Sequence, residues 1–103
     1  MGTPVKTQID PEQLQRASTI MRALAHPLRL RMIYLLNEQE SATVQLIYTA
    51  LRIEQSVASQ HLRILRDAEL VYTERQGKFM RYYLDKALLL RAGQVSSELA
   101  AFR

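Results

Sequence analysis

The chain has 103 residues, 48% hydrophobic and 23% charged, with 14 Lys plus Arg against 10 Asp plus Glu, a formal net charge of +4. That length suits one domain with a modest core that a partner chain can supplement, and it excludes a large multidomain enzyme. The absence of cysteine removes disulfides, thiolate zinc sites and Cys nucleophiles, while the basic balance fits a polyanion partner as well as a plainly solvated surface.

Residues 1–10 carry Gly2, Pro4 and Asp10 with little periodicity and read as a flexible N-terminal tail ahead of one domain over residues 11–103. The tail lacks the apolar core of a secretory signal. The longest aliphatic run, Ala87-Leu88-Leu89-Leu90, falls far short of the roughly 18 residues of a membrane span. The expectation is a cytoplasmic chain with no membrane partner. Asp10-Pro11-Glu12 opens a helix that ends near Ala25, with Asp as cap, Pro in the first turn and Glu at the positive dipole end. Leu14, Ala17, Met21 and Leu24 form its apolar stripe. Pro27 starts a second helix with Leu28, Met32, Leu35 and Leu36 on one face and Ile33 at its flank, followed by a polar connector over residues 37–41.

A short third helix is predicted over residues 43–51, capped by Ser41 or Ala42, with Val44, Ile47 and Leu51 on one side. A fourth spans residues 55–68 and places Ala58, Leu62 and Leu65 inward, with Ile64 at the edge of that face. Residues 70–75 and 78–84 are rich in Val, Tyr, Thr and Phe, and Gln76-Gly77 between them makes a β-hairpin. A last helix begins at Asp85 or Lys86; Leu88, Ala92, Val95, Leu99 and Phe102 recur at heptad-like spacing along it, and Gly93 leaves it in need of packing. The predicted class is therefore mainly α (α+β), a winged helix-turn-helix in the order four helices, two strands, one helix.

With Ala58, Leu62 and Leu65 turned inward, the fourth helix turns Gln55, Ser56, Ser59, Gln60 and Arg63 outward. This stripe holds amides, hydroxyls and a guanidinium but no carboxylate, the inventory for a DNA major groove: Arg to guanine, Gln to adenine, Ser to base edges or phosphates. A merely solvated helix face mixes Glu with Lys at four-residue spacing. The hairpin adds Arg75, Gln76 and Lys78 at its tip and Arg81 on its second strand, a basic element suited to phosphates or a minor groove, or simply to a charged edge that discourages strand pairing. Two histidines without clustered acids make a poor metal set: His26 fits a helix start and His61 a half-buried, hydrogen-bonded position. The five tyrosines fit core and hairpin pairs better than stacking platforms for bases. No phosphate loop and no convincing nucleophile–base register appears, so neither a catalytic residue nor a cofactor is assigned.

Three blocks resemble the ArsR-like (ArsR/SmtB) winged-helix repressors, in the right order and across roughly residues 12–103. Ala23-Leu24-Ala25-His26-Pro27-Leu28-Arg29-Leu30-Arg31-Met32-Ile33 is similar to that family's opening signature, and Gln55-Ser56-Val57-Ala58-Ser59-Gln60-His61-Leu62-Arg63-Ile64-Leu65-Arg66 to its recognition helix. Leu70-Val71, Arg75-Gln76-Gly77-Lys78 and Tyr82-Tyr83-Leu84 resemble its wing. The resemblance implies a homodimeric repressor on a palindromic double-stranded operator, with Gln55, Ser56, Ser59, Gln60 and Arg63 at the operator. It departs from the family's metal sensors: Thr43 and Gln45 stand where many members carry Cys-x-Cys, and Lys86, Leu88, Leu99 and Phe102 where others carry carboxylate and His ligands. Familiar metal or thiol sensing is thus excluded, leaving a small organic molecule, a partner protein or no effector. The dimer is expected to bury Leu14, Ala17 and Met21 of the first helix with Leu88, Ala92, Val95, Leu99 and Phe102 of the last. The alternative reading is a winged-helix protein-interaction module without DNA contact.

Overall fold

The computed structural model describes residues 10–100, with side chains described for residues 10–93. Residues 1–9 of the expected tail lie outside the described part. Helix α1 (Pro11–Leu24) starts as its sequence dictates: the Asp10 carboxylate accepts from the Glu12 N–H at 3.2 Å, and Pro11 occupies the first turn. Its inward face is Ala17, Ile20 and Ala23, which leaves Leu14 39% and Met21 37% exposed. Helix α2 (Pro27–Gln39) is capped by His26, whose Nδ1 accepts from the Leu28 N–H at 3.1 Å. Met32, Ile33 and Leu36 enter the core, and Leu28 and Leu35 pack at its margin.

The polar connector expected over residues 37–41 is corrected at this point. Helix α2 continues to Gln39, Glu40 reverses the chain with φ 65°, and Ser41–Thr43 form a strand, β1. The element order therefore gains a strand before helix α3 (Val44–Leu51). Thr43 is the cap of α3, its Oγ1 accepting from the Leu46 N–H at 3.2 Å, where Ser41 or Ala42 was expected. Helix α4 (Gln55–Asp67) follows a three-residue turn in which Arg52 takes the left-handed conformation (φ 57°, ψ 49°) and Ile53 N–H closes on the Tyr48 carbonyl at 3.1 Å.

Strands β2 (Val71–Gln76) and β3 (Phe79–Leu84) form the hairpin, one residue later at the turn than expected: Gly77-Lys78 connects them, and Gly77 sits at φ +64°, where a Cβ is strained. Strand β1 adds to the far side of β3, pairing Ser41 with Tyr83, Ala42 with Tyr82 and Thr43 with Arg81, so the antiparallel sheet runs β1-β3-β2. Tyr72 and Tyr83 stack across the hairpin with centroids 5.2 Å apart, a cross-strand pair as the composition led one to expect. Helix α5 (Lys86–Ala100) begins with the Asp85 carboxylate accepting from the Leu88 N–H at 3.0 Å.

The core is one cluster under the sheet and between the helices, with Met32, Leu36, Ile47, Leu62, Leu65, Leu70 and Val71 fully enclosed. No polar or charged side chain is buried among the described residues, so apolar burial carries the packing. No helix of the described residues is long and apolar enough to cross a membrane. Of the expected dimer face, Ala17, Leu88 and Ala92 are instead buried within the chain, where α1 and α5 pack. Val95, Leu99 and Phe102 lie outside the described side chains.

Candidate nucleic-acid interface

Helices α3 and α4 with their three-residue turn form the helix-turn-helix, and the face of α4 is set by its anchors. Ala58, Leu62 and Leu65 are all buried, so the helical repeat forces Gln55, Ser56, Ser59, Gln60 and Arg63 to the opposite side. All five are exposed, and Ser56, Ser59, Gln60 and Arg63 line one shallow hollow. The first turn of α4 has no side-chain cap, since Glu54 makes no capping bond, and its leading N–H groups stay available to an external acceptor.

The wing stands on the same chain but is divided in its cations. Arg75, Gln76 and Lys78 are exposed at the tip. Arg81, the cation expected on the second strand of the hairpin, is half-buried; it donates from Nε to Ser41 Oγ at 2.9 Å and from Nη2 to the Ser41 carbonyl at 3.3 Å, and so ties β3 to β1. The single ion pair among the described residues joins Arg16 to Glu69 at 3.0 Å, between exposed side chains, and involves neither α4's outward face nor the wing.

Behind α4 lies a cluster of side chains that are far apart in the sequence. His61 faces inward, its ring 4.5 Å from that of His26, and Arg29 Nη1 lies 3.3 Å from His61 Nδ1. Arg29 also donates from Nε to the Ala23 carbonyl, so one guanidinium links the end of α1, the start of α2 and α4. Arginine only donates, so His61 Nδ1 is the acceptor and the ring is neutral with its proton on Nε2. Burial, then the nearby His26 and Arg29, lower the His61 pKa from its ordinary 6.5. The unfolded chain therefore binds a proton that the folded chain refuses between that lowered value and 6.5, and stability falls as pH drops through this window. Melting curves between about pH 5 and 8 check this: the wild type is expected to lose stability below about 6.5, and His61→Gln to lose less. An equal loss in both would remove His61 as the cause. No cluster of three or more candidate metal ligands exists among the described residues, and Thr43 commits its hydroxyl to capping α3.

The model of the "Bacterial regulatory protein, arsR family" matches residues 26–73, which run from the cap of α2 into β2. The chain is 38% identical over 73 residues to the HTH-type transcriptional repressor SmtB of Mycobacterium tuberculosis, covering 71% of this chain and 53% of that protein. It thus spans about half the length of that curated relative. It is 34% identical over 73 residues to an uncharacterised HTH-type transcriptional regulator of Methanocaldococcus jannaschii, of which it covers 82% against 71% of itself. Among solved structures, the homodimeric winged helix-turn-helix DNA-binding domain of Mb0332 from Mycobacterium bovis, a possible ArsR-family regulator, shares the fold with a TM-score of 0.72 at 24% identity, covering 94% of this chain and 88% of that one.

Proposed function

Because the chain belongs to the ArsR/SmtB family of winged helix-turn-helix transcriptional regulators, a family of regulators rather than enzymes, we propose that it is a DNA-binding repressor that places α4 in the major groove of a palindromic operator. The observation that carries the reading is the outward face of α4: five exposed amide, hydroxyl and guanidinium side chains, free of carboxylate, held in register by three buried anchors. Gln55, Gln60 and Arg63 read base edges, Ser56 and Ser59 let the backbone approach, and Arg75, Gln76 and Lys78 hold the flanking backbone from the wing. Arg81 supports the wing from within. A protein-interaction module needs an apolar outward face on α4; the large apolar residue that α4 exposes, Ile64, lies instead beside Thr19 and Arg22 of α1.

The working unit is a homodimer acting in the cytoplasm with its DNA. Leu14 and Met21, seven residues apart on one face of α1, are the described apolar positions that a partner chain would cover, and the homodimeric M. bovis domain supports the assembly. Two copies set their α4 helices about 34 Å apart, one turn of duplex. Val95, Leu99 and Phe102 extend the proposed interface, while Ala17, Leu88 and Ala92 support it from inside each chain.

Gel-shift titration of duplex DNA at several salt concentrations tests this reading. The wild type is expected to bind as two chains per duplex with affinity that falls steeply with salt. Lys78→Ala is expected to weaken binding to all sequences alike and to reduce the slope of log affinity against log salt by about 1. No duplex binding by the wild type overturns the function, and an unchanged slope removes Lys78 from the interface.

A further inference from the structure

The wing carries apolar side chains that the fold does not use. Strand β1 covers β3 only from Arg81 to Tyr83, so residues 75–80 run on as a two-stranded ribbon without a third strand. In its register Gln76 faces Phe79 and Arg75 faces Met80. Successive residues of a strand point to opposite faces, so Phe79 occupies one face of the ribbon and Met80 the other. Phe79 is 59% exposed and Met80 38%, and neither belongs to the core cluster or packs against it. A protruding hairpin is ordinarily blunted with charge, and an exposed phenylalanine there has a cost in water that the fold itself does not offset.

Resting on the DNA-binding reading above, we infer that the wing tip is an apolar wedge for the DNA minor groove. Phe79 and Met80 pack on the deoxyribose walls and the base edges between them, while Arg75 and Lys78 hold phosphates on the two strands. The chemistry is matched on both sides. Sugar C–H groups form the walls of that groove, apolar side chains shed water against them, and the tip's cations neutralise the phosphates above. The minor groove of relaxed duplex is about 6 Å wide, narrower than a ribbon with side chains on both faces, so entry widens it and bends the duplex. Such bending is easiest at TA and CA/TG steps and hardest at stiff A-tracts. The wing therefore adds a preference for flexible steps beside the half-site, at positions that α4 does not read.

The test uses duplexes selected by the wild-type protein from a random library, with the flanking steps then rewritten as TA or as A-tract. Affinity, salt slope and end-to-end energy transfer are measured for the wild type and for the double variant Phe79→Ala, Met80→Ala. The wild type is expected to bend the duplex and prefer TA flanks. The double variant is expected to melt at the wild-type temperature, bind about tenfold more weakly, bend less, lose the flank preference and keep the salt slope, since an apolar contact releases no counterions. Wild-type binding with unchanged bend and affinity in the double variant overturns the wedge and leaves the regulator standing, returning the two side chains to a protein-facing or merely exposed role. Failure of the wild type to bind any duplex overturns both.

Discussion

Leu62→Ala is expected to destabilise the fold by about 2–5 kcal/mol. Leu62 is 1% exposed and lies in the middle of the α4 anchor row, between the buried Ala58 and Leu65. Truncation removes its transfer free energy and opens a cavity in a close-packed core that relaxes only in part. Small domains are stable by only about 5–15 kcal/mol, so one such loss is a sizeable fraction of the total. Urea unfolding measures it, with the exposed Arg66→Ala as a control expected to stay within about 0.5 kcal/mol. A Leu62→Ala loss below about 1 kcal/mol would mean that α4 is not anchored through this position. The same substitution bears on function, because the outward register of Ser59, Gln60 and Arg63 is held by what lies beneath them.

The α4 face was legible because it is local. Its apolar positions, its length and its polar stripe all repeat at the helical period, and each of the three anchors is buried as expected. The caps of α1 and α2 were legible for the same reason, since Asp10 and His26 each bond an N–H two residues on. On α1 the periodicity was ambiguous. Apolar residues at 14, 17, 20, 21, 23 and 24 cover more than one face, and packing against α5, α2 and α4 chose Ala17, Ile20 and Ala23 over Leu14 and Met21. Strand β1 was not legible: three residues show no alternation, and their partner strand lies 40 residues onward. Arg81 followed from the same blindness, for its partner Ser41 comes into reach only through β1–β3 pairing. The His26–His61 contact, 35 positions apart in sequence, likewise needs α2 packed on α4 before it exists.

Arg63→Ala, one residue along the same helix from Leu62, is expected to leave the fold intact and to cost about 1–3 kcal/mol of operator binding. The two neighbours divide the work of α4 because consecutive helical positions point about 100° apart, one into the core and one into solvent. Arg63 is exposed and makes no ion pair or side-chain hydrogen bond among the described residues, so its removal strips nothing from the folded chain. Its guanidinium offers a planar fork that fits guanine O6 and N7 together, which a point charge does not. Arg63→Lys therefore separates charge from geometry. It is expected to keep the salt dependence of the wild type while losing discrimination at one base pair of each half-site, whereas Arg63→Ala loses discrimination and affinity together. Selection from a random duplex library followed by titration of the winning site and its single-base variants reads both quantities. Wild-type affinity and base preference in Arg63→Ala would place the reading of the operator elsewhere on α4, on Gln55 or Gln60, whose amides are the remaining side chains of that face able to make paired bonds to a base.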